Sequence, residues 1–158
     1  MPEASHSRGI PQSALLAVFA HPDDESLASG GLIAWCAERE VTTSLLCMTR
    51  GQHGPGDSAT LGDTREKELR DAASVLGINN VSVLDYEDGM LPWSNGSQIE
   101  FDIERAIQRW QPDVVITFGE DGLYWHPDHI AVHQHTTAVI DTLGKNAPAL
   151  YYVTLPLG

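Results

Sequence analysis

Apolar runs alternate with segments of helical periodicity along the chain. Residues 14–20 form an uninterrupted apolar run, the pattern of a strand buried on both faces of a parallel sheet. Residues 26–40 follow with helical spacing, and Leu27, Gly31, Ala34 and Trp35 fall near one face. Gly30 and Gly31 inside that helix cost stability, so a close approach to the sheet or to a ligand is expected there. Residues 41–48 are rich in β-branched side chains and read as a second strand. A loop over 49–62 is punctuated by Gly51, Gly54, Gly56 and Gly62, and a loop of that length is usually functional or mobile. Asp63 is placed to cap a helix over 63–76, Glu66 completes a capping-box-like pattern, and Gly77 follows the last turn. A third strand over 81–84 leads into a loop over 85–96. Ile99, Ile103, Ala106 and Ile107 share one face of a helix over 97–110. A fourth strand spans 114–118, a helix runs from Pro127 or Asp128 to about Leu143, and a fifth strand spans 150–155.

This alternation predicts an α/β fold: a doubly wound, mostly parallel five-stranded sheet flanked by helices, with right-handed crossovers. In the usual order 3-2-1-4-5, strands one and four are neighbours where the winding reverses, and ligands bind beyond their carboxyl ends. Two polar clusters follow those two strands: His21-Pro22-Asp23-Asp24-Glu25 and His126-Pro127-Asp128-His129. The topology converts their distance in sequence into contact in space.

The chain has 158 residues, 42% of them hydrophobic, a size that favours one domain over 1–158. Residues 1–12 are polar, hold Pro2 and Pro11, and are expected to form a flexible tail that carries His6. Against 22 acidic residues stand 9 basic ones, a formal net charge of −13. Such a surface repels phosphate backbones, so nucleic acid and anionic membranes are not expected partners, whereas a bound cation fits. Cys36 and Cys47 lie in apolar stretches and read as core residues, with no disulfide framework; a cytoplasmic location is expected. No signal-peptide pattern opens the chain, and no apolar run approaches the ~18 residues of a membrane span. Asn95-Gly96-Ser97 matches a glycosylation sequon and reads as a turn.

In the first cluster, His21 and Asp24 are three residues apart on a turn that Pro22 restricts. Both can reach one cation. A catalytic zinc takes three protein ligands and leaves a position for water, and His129 supplies the third. Asp23, off the metal, is the general base for that water. Glu25 faces the helix dipole or supports a neighbour. His126 stays off the metal, where it can stabilise an oxyanion and donate a proton to a leaving amine. Asp128 is placed to hydrogen-bond an imidazole and raise its basicity. Tyr124 either donates its hydroxyl to the same oxyanion or packs at the pocket rim. Each residue has an ordinary reading alone: acids at a helix start often only cap it. His133 and His135 are expected to be solvated or supporting, and His53 to be solvated in its loop.

With these residues the chain resembles the PIG-L / LmbE-like superfamily of zinc-dependent N-deacetylases. The resemblance rests on Ala20-His21-Pro22-Asp23-Asp24-Glu25, on Thr49-Arg50-Gly51, on Arg65 with Glu68, and on His126-Pro127-Asp128-His129. It runs from about Leu15 to Val139. It implies a Rossmann-like fold and metal binding by His21, Asp24 and His129. It also implies Asp23 as general base, and His126 as electrostatic partner or acid supported by Asp128. Arg50 and Arg65 would contact substrate, or else form ion pairs on a helix face. The implied reaction is zinc-dependent removal of an N-acetyl group from an N-acetylglucosamine-containing small molecule or glycoconjugate. Family members commonly run longer, so the chain is expected to be a fragment or a compact variant.

Alternatives are an amidase acting on another amide, or an inactive metal-binding relative. Iron or cobalt would suit similar ligands, and a homo-oligomer stays open. A phosphate-accepting receiver-like module would use the paired acids, Asp85 and Thr117, but 154–158 lacks the lysine it needs, and it leaves both histidine clusters without a role. No glycine-rich dinucleotide fingerprint follows the first strand.

Overall fold

The computed structural model describes residues 13–56 and 59–155. The tail expected over 1–12, with His6, lies outside the described residues. Five strands form one sheet: β1 (Ala14–Phe19), β2 (Thr42–Thr49), β3 (Asn80–Tyr86), β4 (Val114–Phe118) and β5 (Ala149–Val153). Their order is β3-β2-β1-β4-β5, and every pairing is parallel. The expected doubly wound α/β sheet is therefore present. β1 lies between β2 and β4, its Leu15 to Ala17 in register with Val114 to Ile116. Apolar side chains of β1, β2 and β4 are almost wholly buried, because both faces of the central strands are covered.

The helices are α1 (Asp24–Ala37), α2 (Leu61–Leu76), α3 (Gly96–Trp110), α4 (Gly122–Trp125) and α5 (Pro127–Leu143). α1 packs on α2, and α3 on α5, as right-handed crossovers on opposite sheet faces require. Ile99, Ile103, Ala106 and Ile107 of α3 are buried as their spacing predicts. Asn95 closes the start of α3 by accepting the Gln98 N–H, so the expected turn there is a helix cap.

Three expectations are corrected. α1 buries Asp24, Glu25, Ser29, Gly30, Ile33 and Cys36, while Leu27 and Trp35 of the expected apolar face are exposed. The helix starts two residues earlier than its apolar pattern suggests, and turning its carboxylates inward fixes its rotation. Neither glycine of that helix meets a close approach: a Cβ on Gly30 would make ordinary contact, and one on Gly31 would meet nothing. α2 starts at Leu61, behind Thr60, so Asp63 lies in its first turn rather than at its cap.

Candidate metal centre

β1 ends at Phe19 and delivers His21 two residues beyond the strand. The His21 backbone N–H donates to Asp24 Oδ2 at 2.8 Å, which closes the turn around Pro22. Asp23 adopts φ 109°, a left-handed conformation that a side chain disfavours, and its carboxylate makes no capping bond. Glu25, 1% exposed, accepts the Asp23 N–H at 3.1 Å and the Ser26 hydroxyl at 2.6 Å. Asp24 and Glu25 thus organise the turn and face inward rather than merely capping α1.

From the neighbouring β4, the chain passes through α4 into α5. Gly122 has φ +55°, and a Cβ there would lie 2.9 Å from that of His129. Only glycine permits this crossing. The reward is a fixed imidazole. His129 Nδ1 lies 3.1 Å from the Gly122 carbonyl, and its ring stacks on Phe118 with centroids 3.9 Å apart. A carbonyl only accepts, so the proton sits on Nδ1 and the Nε2 lone pair points at the turn from β1.

There three donors meet. His21 Nδ1 is 3.2 Å from His129 Nε2 and 3.5 Å from Asp24 Oδ2, and His129 Nε2 is 3.4 Å from Asp24 Oδ1. All three residues are buried. The other nitrogen of His21, Nε2, faces Asp128 Oδ2 at 2.9 Å and Asp88 Oδ1 at 3.0 Å. Burial opposes charge on His21, but hydrogen bonds to Asp128, Asp24 and Asp88 override it and push its pKa up to about 11. The bond from His21 takes Asp88 down to about 2. Burial pulls Asp128 up, but His21 and the Gly89 and Leu91 N–H groups hold it below the usual carboxylate range. Burial depresses His129 to about 4, so its ring is neutral.

A tetrahedral zinc with bonds near 2.0–2.1 Å separates its ligand atoms by about 3.3 Å. The two imidazole nitrogens, 3.2 Å apart, match that value, the Asp24 carboxylate reaches His21 through Oδ2 at 3.5 Å and His129 through Oδ1 at 3.4 Å, and the second nitrogen of each imidazole already has an acceptor. The donor set fits a divalent ion. One atom each of His21, His126 and His129 also lies within 4.8 Å of the others. His126 Nδ1, however, accepts the Asp128 N–H at 3.2 Å, which leaves only Nε2 for other work.

The family model of PIG-L, the GlcNAc-PI de-N-acetylases, matches residues 16–140, which span both clusters. The chain belongs to the PIG-L family. This PIG-L chain is 30% identical to the probable N-acetyl-alpha-D-glucosaminyl L-malate deacetylase 2 of Bacillus anthracis, over 87% of the chain and 64% of that protein. It is 32% identical to the 1D-myo-inositol 2-acetamido-2-deoxy-alpha-D-glucopyranoside deacetylase of Corynebacterium kroppenstedtii, over 85% of the chain and 43% of that protein. The N,N'-diacetylchitobiose deacetylase of Pyrococcus horikoshii superposes with a TM-score of 0.75 at 28% identity, covering 83% of the chain and 50% of that structure. The chain thus spans between 43% and 64% of the length of these proteins.

The other residues singled out in the PIG-L sequence fall as follows. Asp23 is half-exposed beside the cluster, its carboxylate 3.0 Å from an Arg65 nitrogen. Burial and the nearby Asp24 raise its pKa, with Arg65 opposing. His126 is partly buried, its ring 4.6 Å from that of His129. Tyr124 is exposed and meets the rings of His126 and His129 edge-on. Asp128 hydrogen-bonds an imidazole as its position predicts, but that of His21 and not of His126, the partner the resemblance implies; its buried carboxylate also accepts from Gly89 and Leu91, because α5 turns it toward the β1 end. Arg50 pairs with Asp63 and Glu66 on α2. Arg65 bonds the protein's own backbone and Asp23. Both arginines are thus engaged within the chain. His133 bonds the Phe118 carbonyl and His135 pairs with Glu100, both away from the cluster.

Asp88 has no place in the sequence reading. It follows β3 by two residues, as His21 follows β1, and His53 braces it from the glycine loop through its N–H and ring. The signal that points to it is its position: an acid just beyond a strand end at the carboxyl edge of the sheet.

Proposed function

We propose that the chain is a metal-dependent hydrolase that removes the N-acetyl group from an N-acetylglucosamine-containing small molecule or glycoconjugate. The observation that carries this reading is the meeting of His21 Nδ1, His129 Nε2 and the Asp24 carboxylate at 3.2–3.5 Å. These three residues hold a divalent ion, with zinc preferred for two imidazoles and one carboxylate. Such an ion supplies an acidified water and polarises an amide carbonyl. Asp23 accepts the proton of the attacking water, since it lies beside the cluster and is free of its hydrogen bonds. His126 uses Nε2, the nitrogen not engaged by Asp128, to stabilise the tetrahedral oxyanion and then to protonate the departing amine. Tyr124 offers its hydroxyl to the same oxyanion from the rim. Asp128 and Asp88 hold the His21 ring. The amide and water yield acetate and a free amino sugar.

The names of the two curated relatives support the substrate class, since both are deacetylases of glucosamine derivatives. Both cysteines are free and buried, which suits the cytoplasm as the place of action. Among the described residues no helix is long and apolar enough to cross a membrane.

The test is acetate release from malate-linked, inositol-linked and oligomeric N-acetylglucosamine, by zinc-loaded and chelator-stripped protein and by Asp23→Ala. Metal-dependent release that Asp23→Ala abolishes is the expected result. Equal release by Asp23→Ala removes Asp23 as the base, and no release from any of them removes the deacetylase reading.

A further inference from the structure

A column of stacked rings connects the sheet to His126. Phe118 ends β4 and is fully buried. Three contacts hold it. Its backbone lies opposite Val153 of β5, and its ring tilts against that of Phe19 with centroids 5.0 Å apart. Its carbonyl accepts from His133 Nδ1 at 2.9 Å, and since a carbonyl only accepts, that nitrogen carries the proton. The His129 ring lies flat on Phe118, with 3° between the planes. The His126 ring lies in turn on His129, with 27° between the planes and centroids 4.6 Å apart. The other rings beside His126, those of His21 at 4.9 Å and Tyr124 at 5.9 Å, meet it edge-on. Among the described residues, His129 is thus the flat ring on which His126 rests.

We propose that Phe118 is a positioning residue for His126: through the intervening ring of His129 it sets where His126 Nε2 stands, and His133 pins Phe118 in place. This rests on the reading of His126 as the group that stabilises the oxyanion and protonates the amine. It gives Phe118 and His133, which touch no reacting atom, a part in that step. A stacked pair rewards one ring plane and offset beyond the area it buries. Leucine at 118 keeps apolar burial but has no flat face, so the two imidazoles above it lose their common plane. A displacement of about 1 Å at a reacting group costs about 100-fold in rate, and about half of that costs about tenfold.

The experiment compares the parent chain with Phe118→Leu, Phe118→Tyr and His133→Phe, and repeats Phe118→Leu in a His126→Ala background. Histidine ring-proton resonances are read in the chelator-stripped chain, and steady-state kinetics in the zinc-loaded one. In Phe118→Leu the resonances of His129 and His126 both move. The first loses the field of the ring it lies on, and the second moves only because its own ring is displaced. The kcat of this variant falls about tenfold with KM within about twofold. Phe118→Tyr, which keeps the flat ring, leaves both resonances near their parent positions and restores kcat. His133→Phe keeps a ring against Tyr152 but loses the donor to Phe118; it moves both resonances and lowers kcat by less than Phe118→Leu does. In the His126→Ala background Phe118→Leu changes kcat by less than about twofold, because the group it acts through is gone. Urea unfolding in chelator establishes that each variant is folded, and His133→Phe, whose change lies outside the buried core, carries the resonance test if Phe118→Leu is not. A His126 resonance that stays in place while that of His129 moves, an undiminished loss in the His126→Ala background, or an equal loss of kcat in Phe118→Tyr and Phe118→Leu each overturn the proposal. If the parent itself releases no acetate, the deacetylase reading falls, and the resonances of the stripped chain still decide whether Phe118 sets the place of His126.

Discussion

Replacing Asp88 by asparagine tests the centre through a residue that touches no proposed ligand atom. Asp88 Oδ1 lies 3.0 Å from His21 Nε2, and Asp128 Oδ2 shares that nitrogen at 2.9 Å. The two carboxylates aim Nδ1 of His21 toward His129 and Asp24 and raise its basicity. Loss of such a partner typically costs 10–100-fold in metal affinity. Because Asp128 remains, Asp88→Asn falls at the low end, about tenfold or about 1.4 kcal/mol. Asp128→Asn lies nearer about 100-fold, since its carboxylate is fully buried and also accepts the Gly89 and Leu91 N–H groups. Zinc titration against a chromophoric chelator at fixed pH measures both, with circular dichroism to establish that each variant is folded. Parent-like affinity in Asp88→Asn, or a larger loss there than in Asp128→Asn, would refute the claim that these carboxylates tune His21.

Gly122→Ala introduces a Cβ 2.9 Å from that of His129 at φ +55°; it should lower stability by about 1–3 kcal/mol and weaken zinc binding, read by denaturation and the same titration. In chelator, stability should peak near pH 6.5. Raising the His21 pKa from 6.5 to about 11 gives a contribution complete below 6.5 and lost as pH rises through about 11. Lowering His129 from 6.5 to about 4 costs stability as pH falls between those values, and Asp88, lowered from 3.8 to about 2, loses its contribution as pH falls through that lower range. A urea midpoint that climbs steadily from pH 6.5 to 9 in chelator would contradict this. Ile103→Ala, in the fully buried face of α3, should cost about 2–5 kcal/mol in chemical denaturation.

The sheet was legible because β1 is apolar without interruption and β2 and β4 carry apolar stretches, and parallel strands buried on both faces have that pattern. Strand order followed from crossover rules, and so did the proximity of the two histidine clusters. The side chains that orient those clusters were harder to read. β3 runs to Tyr86 and not to Leu84, and that difference of two residues hides Asp88, which then looks like part of a turn with Gly89. The partner of Asp128 depends on the direction in which α5 leaves its cap, which spacing does not encode. The exposed face of α1 was misjudged for a related reason: Leu27 and Trp35 mark an apolar stripe, but the inward carboxylates set the rotation. Arg65 was legible as a motif residue, whereas its acceptors, two of them backbone carbonyls, leave no trace in sequence.

The charge around His21 is of the kind that a bound cation would offset. Asp24, Asp88 and Asp128 are buried within hydrogen-bond or ion-pair distance of that one imidazole. If all three are counted as carboxylates, a proton on His21 leaves two formal negative charges uncompensated in a region where burial makes charge costly. Exchanging that proton for a divalent ion on Nδ1 leaves one, which a neighbouring proton donor can satisfy. Metal binding is therefore coupled to release of the His21 proton, and zinc affinity should rise with pH between 6.5 and about 11, where the free chain still holds that proton. The same exchange frees the His21 lone pair as it neutralises the cluster. On the proposed reading ligand and counter-charge would thus arrive in one step, and the two carboxylates behind His21 supply negative charge beyond that of the proposed ligands.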